Sequence, residues 1–215
     1  MPGCCRSALC EEMFTAKEAR RVLRRYRKKG LNKFERQMVA SVPSDARHGA
    51  RVLEIGGGIG TIQAELLAGG ADRGEIVELV KAYEPYAQEL ARDKGIANRS
   101  AFRVADVLEN SGTVMPADVV VLNRVVCCSP DGVRLAGAAA RLAGSMLLLS
   151  YPRDRVLVRI GSRLLNVGLR IMKRSFRVFM HPRESLYAAA QAEGLVVVET
   201  GQAFAWEFAA FRRTV

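Results

Sequence analysis

Apolar positions along the chain follow two different periods. After Thr15, the residues Ala19, Val22, Leu23 and Tyr26 recur at helical spacing, with Glu18 placed to complete a capping box and Gly30 placed to stop the helix. Asn32 and Glu35 form a second box, opening a helix through about Val42, and "PSDARHG" reads as a loop. From Arg51 onward, strand-like runs at 51–55, 75–78, 101–104, 118–122 and 145–150 alternate with helical patterns at about 60–69, 82–94 and 131–143. That alternation predicts βαβ units and an α/β domain built on a parallel sheet. "ADVVVL" is a near-continuous apolar run, as expected of a strand covered on both faces. The end of the chain differs: two strand-like runs, 195–199 and about 203–212, are joined only by "TGQ". Three residues cannot make a parallel crossover, so this is a hairpin with an antiparallel strand. There is no internal repeat and no low-complexity segment.

Charge divides the chain further. Of 215 residues with a net charge of +11, the segment 17–36 holds ten basic side chains against Glu18 and Glu35, a local balance of +8. The reading is therefore a cysteine-bearing tail at 1–14, a basic helical extension at 15–49, and one α/β domain at 50–215 with an insert at 152–182 after the fifth strand. No apolar run reaches the ~18 residues of a transmembrane helix. The N-terminus lacks the apolar stretch of a secretory signal, which predicts a cytoplasmic protein. The five cysteines, Cys4, Cys5, Cys10, Cys127 and Cys128, make a poor disulfide framework.

Candidate chemistry centres on "VLEIGGGIGT", residues 52–61. No register of it fits the dinucleotide pattern GxGxxG/A, and no Lys follows as a triphosphate loop requires. What fits is an acid followed by alternating glycines: Glu54, Gly56, Gly58 and Gly60. Such glycines let backbone pass close under a ligand, and the helix start beyond them offers free N–H groups to a carboxylate. This resembles motif I of the class I S-adenosylmethionine-dependent methyltransferases.

The resemblance implies further residues. Glu78, ending strand two, would meet the cofactor's ribose hydroxyls, with Glu84 as a fallback inside the next helix. Asp106 and Val107, after strand three, would meet the adenine; Asn123, after strand four, would lie beside the methionine moiety. It also implies a seven-stranded Rossmann-like sheet of order 3-2-1-4-5-7-6 with an antiparallel last strand. The chain is similar over its whole length to a group of small bacterial methyltransferase-domain proteins, through "RRYRKKGL", "VLEIGGGIG", "DVVVLNRVVCC", "SYPR" and the "F.HP" pattern at 179–182. It departs from them at Ser129, where an aromatic is expected, and at Val80-Lys81, where they carry Ser-Pro. The implied activity is methyl transfer from S-adenosylmethionine to an acceptor that the resemblance does not specify; the leading reading here is a small, partly apolar one.

In-line transfer from a sulfonium needs alignment above all, and a base only if the acceptor must lose a proton. His181 is the candidate base. His48 lies before strand one, away from the strand ends where ligands bind. Cys127 and Cys128 follow strand four but no Pro precedes them, unlike the nucleophile of cytosine-C5 methyltransferases. The [DNS]PP[YFW] motif of DNA amino-methyltransferases is also absent. Cys4, Cys5 and Cys10 are open to a metal, with Cys127 or Cys128 completing a tetrathiolate site, but adjacent cysteines chelate one tetrahedral ion poorly and CxxC spacing is absent, so a tail without metal is favoured and none is assigned. In the insert, Leu157, Ile160, Leu164, Leu165, Gly168, Ile171 and Met172 form an apolar stripe beside Arg155, Arg159, Arg163, Arg170, Lys173 and Arg174. It reads as a lid over the acceptor, as a core-packed helix with a basic face, or as a membrane-surface helix. The alternative functions are an RNA or protein methyltransferase using the 17–36 helix as an electrostatic footprint, and a non-catalytic binding protein on the same fold. Nucleic acid is not favoured, because only Tyr26 and Phe34 interleave the charges.

Overall fold

The computed structural model describes residues 11–109 and 112–214. Helices α1 (Ala16–Lys29), α2 (Lys33–Ala40) and α3 (Ser44–Arg47) precede β1 (Arg51–Ile55), α4 (Thr61–Ala68), β2 (Arg73–Glu78), α5 (Glu84–Asp93), β3 (Ser100–Val104) and β4 (Ala117–Leu122). Then come α6 (Gly132–Leu142), β5 (Ala143–Pro152), α7 (Val156–Ile171), α8 (Arg183–Gln191), β6 (Leu195–Gln202) and β7 (Trp206–Arg213). The seven strands form one sheet of order β3-β2-β1-β4-β5-β7-β6. The first five are mutually parallel, and β7 runs antiparallel to both β5 and β6.

Alternation along β4 shows why its sequence is apolar at every position but Asp118. Val119 and Val121 join a core with α1, α2, α4 and α5, whereas Val120 and Leu122 join a second core with α6 and α8. Successive side chains in a strand point to opposite faces, so a sheet covered twice needs apolar residues at every position. Both cores then bury their aliphatic side chains from water, each worth about 1.5–3 kcal/mol.

The caps anticipated at the N-terminus are present in different degrees. Asn32 and Glu35 make the full reciprocal box, each side chain bonded to the other's backbone N–H. Thr15 Oγ1 accepts from Glu18 N at 3.4 Å, but the Glu18 carboxylate turns to Arg21. Two local readings are corrected. "PSDARHG" holds the one-turn helix α3, started by Pro43, whose fixed φ presets a helical entry. The hairpin turn lies at residues 203–205 rather than at "TGQ", because β6 continues through Gln202 in register with β7.

Candidate functional site

The carboxyl ends of β1, β2, β3 and β4 open into a cavity of about 640 Å³. Strand order reverses between β1 and β4, and ligands in open α/β sheets bind at such a switch point.

The floor is the loop after β1. Gly56 sits at φ +63°, where its N–H donates to the Val77 carbonyl at 2.7 Å, and a Cβ there would stand 2.7 Å from Val125. Only glycine meets both demands without strain. Gly56, Gly57 and Gly58 line the cavity with bare backbone.

Glu78 ends β2 in the cavity wall. One carboxylate oxygen accepts from Gly58 N at 2.9 Å, and the other accepts from Leu79 N at 2.8 Å and Val80 N at 3.2 Å. Burial raises its pKa against these three opposing bonds. Beneath, Tyr83 packs under Gly58, and burial pushes its phenol up. After β3, Asp106, Val107 and Leu108 line the wall, and Asp106 Oδ1 accepts from Leu108 N at 2.8 Å in an Asx turn. After β4, Asn123 lines the cavity while its Oδ1 accepts from Ser150 Oγ at 2.9 Å. The same hydroxyl accepts from Arg124 N at 2.8 Å, holding Arg124 at φ +61°. The Arg124 guanidinium lies over Trp206 and Phe34, 5.0 and 5.9 Å from the ring centroids.

The structure thus gathers Gly56, Gly58, Glu78, Asp106, Val107 and Asn123 around one cavity. Three other candidates are placed differently. Glu54 lies behind the loop, 2% exposed, its Oε2 accepting from Gln63 N at 2.9 Å in the first turn of α4. Burial pushes its pKa up to about 8. Its role is to seat the loop against the helix start, since a Cβ on Gly57 would stand 2.7 Å from Glu54 Cγ. Gly60 is also behind the wall, at φ +76°, where a Cβ would overlap Ile76.

His181 is the third of these. It is outside the wall of this cavity and lines a second one of about 360 Å³ with Tyr151, Arg183 and Glu207. Its Nε2–H donates to the carbonyls of Val126 and Ser129, at 3.1 and 2.9 Å, so the ring pins the turn after β4. With Nε2 donating, Nδ1 is the nitrogen left to accept a proton, and it belongs to a ring outside the wall of the first cavity. His48 is the C-cap of α3, before β1, as its loop position suggested.

The cavity has walls that periodicity did not announce. Phe14, Glu18, Val22 and Glu35 contribute from the N-terminal segment, and Ser175, Phe176, Arg177 and Phe179 from the segment after α7. These two segments meet as a roof: Phe14 and Phe176 pack edge to face with centroids 5.6 Å apart, and Ser175 N donates to Glu12 at 3.0 Å. Glu18 and Glu35 carried a signal only as capping residues; their second role depends on tertiary placement. Cys128 lines the cavity and Cys127 is buried behind it, the sulfurs 3.8 Å apart. The neighbouring Cys127 thiol and burial push Cys128 up, away from thiolate character. Among the described residues no cluster of three or more metal-ligating side chains occurs, and Cys4, Cys5 and Cys10 lie outside them.

No protein-family model and no curated protein matches the sequence. Solved structures do match. Magnesium protoporphyrin IX methyltransferase from Synechocystis, crystallised with S-adenosylhomocysteine, superposes with a TM-score of 0.74 at 17% identity, over 96% of this chain and 99% of that one. An O-methyltransferase family protein from Burkholderia thailandensis gives 0.67 at 21% identity, covering 94% of this chain and 63% of its own. An O-methyltransferase family 2 protein from Planctomyces limnophilus, in complex with apigenin, gives 0.67 at 17% identity, over 95% and 63%. This is the class I methyltransferase fold. On that fold the glycine loop, Glu78 and Asp106 stand at the ends of the first three strands, and the residues 12–14 and 175–179 close the space above them.

Proposed function

We propose that this chain is an S-adenosylmethionine-dependent methyltransferase acting on a small, partly apolar acceptor. The observation that carries the proposal is convergence: three loops that are far apart in sequence place bare glycine backbone, Glu78 and Asp106 around one cavity. The donor set fits the cofactor. Glu78 keeps acceptor capacity beyond its three backbone bonds for a ribose hydroxyl, and Gly56, Gly57 and Gly58, whose Cβ positions Val125, Glu54 and Tyr83 crowd, present bare backbone to the cavity. Glu78 would hold the ribose hydroxyls, Asp106 and Val107 the adenine, and the loop with Asn123 the methionine portion.

When bound, S-adenosylmethionine supplies a methyl group already activated on a sulfonium. The chain's own residues then have to align an acceptor and exclude water. Phe14, Val22, Phe176 and Phe179 give the cavity an apolar upper wall, which suits a partly apolar acceptor. Glu18 and Glu35 line the cavity and join His181 as candidates to receive a proton.

The structure weakens the nucleic-acid alternative. Arg21, Arg25 and Arg27 are engaged with Glu18, Glu35, and Glu89 and Asp93 respectively. Tyr26 and Phe34, the aromatics available for base stacking, are buried at 6% and 4% exposure. The test is transfer of a radiolabelled methyl group from S-adenosylmethionine to a panel of phenols, carboxylic acids and amines, beside RNA and protein substrates. Label in a small acceptor supports the proposal; label only in RNA or protein opposes it.

A further inference from the structure

Helix α7 is docked the wrong way round for a core helix. Its polar side chains hold it to the protein: Asn166 Nδ2 donates to the Val178 carbonyl and Asn166 Oδ1 accepts from Val178 N, both at 2.8 Å, and Ser162 Oγ donates to Met180 Sδ at 3.7 Å. Leu169 is the one buried residue of the helix. The apolar stripe faces outward, with Leu157 71%, Leu164 66% and Ile171 76% exposed, beside Val156, Ile160 and Val167. Both hydrogen bonds of the Asn166 side-chain amide would have to break for the helix to roll and bury that stripe. This overturns the core-packed reading of the insert, and the roof over the cavity comes from the segment after α7 rather than from the helix itself.

Helical geometry gathers six of the seven exposed aliphatics into an arc of about 100°, with Leu165 about 80° beyond it and Arg159, Arg163 and Arg170 along the opposite border. Arg155, Lys173 and Arg174 extend the positive charge past both ends, all exposed. From Arg153 to Arg183 the single acid is Asp154, which pairs with Arg159 at 3.1 Å. An apolar arc bordered by arginines matches a surface that is hydrocarbon beneath and anionic above. The 16 residues of α7 fall short of a span, and no described helix is long and apolar enough to cross a membrane.

We propose that α7 is a membrane-docking helix that lies in the interfacial plane of a bilayer carrying anionic lipids. The aliphatic stripe enters the acyl boundary, and the arginines meet the headgroup phosphates. Docking rests on α7 alone and does not depend on methyl transfer. Ser175, Phe176, Arg177 and Phe179, which follow α7 after three residues, line the cavity, so a docked protein holds its cavity roof near the bilayer.

The test is flotation of the full chain with vesicles of phosphatidylcholine alone and of phosphatidylcholine mixed with phosphatidylglycerol. Binding is expected to the mixed vesicles and to be at least tenfold weaker on phosphatidylcholine. Arg163→Ala and Arg170→Ala are each expected to weaken it roughly fivefold. The double variant Ile160→Glu/Leu164→Glu is expected to abolish binding while keeping the circular dichroism and melting temperature of the parent, because both positions are exposed. Arg20→Ala/Arg24→Ala on α1 is expected to leave binding intact. The proposal is overturned if the wild type fails to float with mixed vesicles, if the Ile160/Leu164 variant still floats, or if the α1 variant alone loses binding. It is equally overturned if the protein is a dimer in solution that the Ile160/Leu164 substitutions dissociate, since a second copy would then cover the stripe.

Discussion

The backbone N–H of Gly58 donates to the Glu78 carboxylate across 2.9 Å, tying the loop after β1 to the end of β2. One side chain thereby sets the position of the glycine floor and the acidic wall together. Glu78→Ala leaves the N–H groups of Gly58, Leu79 and Val80 without that acceptor. The expected stability loss is about 1–3 kcal/mol by urea denaturation. Binding of S-adenosylhomocysteine should weaken by roughly 10–100-fold, because a charged hydrogen-bond partner is lost as well. Glu78→Gln should recover part of the stability and less of the binding, since its amide replaces one acceptor oxygen by a donor.

Gly60 is constrained twice. At φ +76° an alanine is strained, and its Cβ would overlap Ile76. Gly60→Ala is expected to destabilise the fold by about 1–3 kcal/mol. Adding Ile76→Val removes the overlapping methyl, so the double variant should be less unstable than the sum of the singles. Additive losses in chemical denaturation would contradict a direct contact.

Glu54 makes a pH prediction with a definite sign. Its pKa is pushed up to about 8 by burial, above the ordinary value of 4.5. The folded state therefore binds the extra proton, and the stability it contributes is full below pH 4.5 and is lost as pH rises through 8. Melting temperature should fall between these values, and Glu54→Gln should flatten the fall. A variant with the same pH dependence as the wild type would exclude Glu54 as its source.

Much of this was legible in the sequence, and the residues show where legibility stops. "ADVVVL" announced a twice-covered strand because every position of it except Asp118 is buried on one face or the other. Asn32 and Glu35 announced a helix start because their bonds are local. Glu54 also read as part of the glycine motif, but sequence order does not say whether an acid points into a cavity or behind its floor. Periodicity found the apolar stripe of α7; it carries no information on which face docks, and Asn166 decided that through a contact with Val178 far outside any helical window. Phe14 and Phe176 met only through the fold.

His181 separates a positioning role from a base. Its Nε2–H holds the carbonyls of Val126 and Ser129, so His181→Ala should cost about 1–2 kcal/mol of stability. Methyl transfer should decline without any change in the shape of its pH profile. Disappearance of one limb of that profile would return His181 to the role of base.

The most direct test of the proposed function is calorimetric titration of the purified chain with S-adenosylmethionine and S-adenosylhomocysteine, with NAD as control. The expected result is one site per chain with micromolar affinity for both sulfur compounds and no heat with NAD. A folded protein that binds neither sulfur compound, or that binds NAD instead, would contradict the assignment of the cavity and leave only the fold.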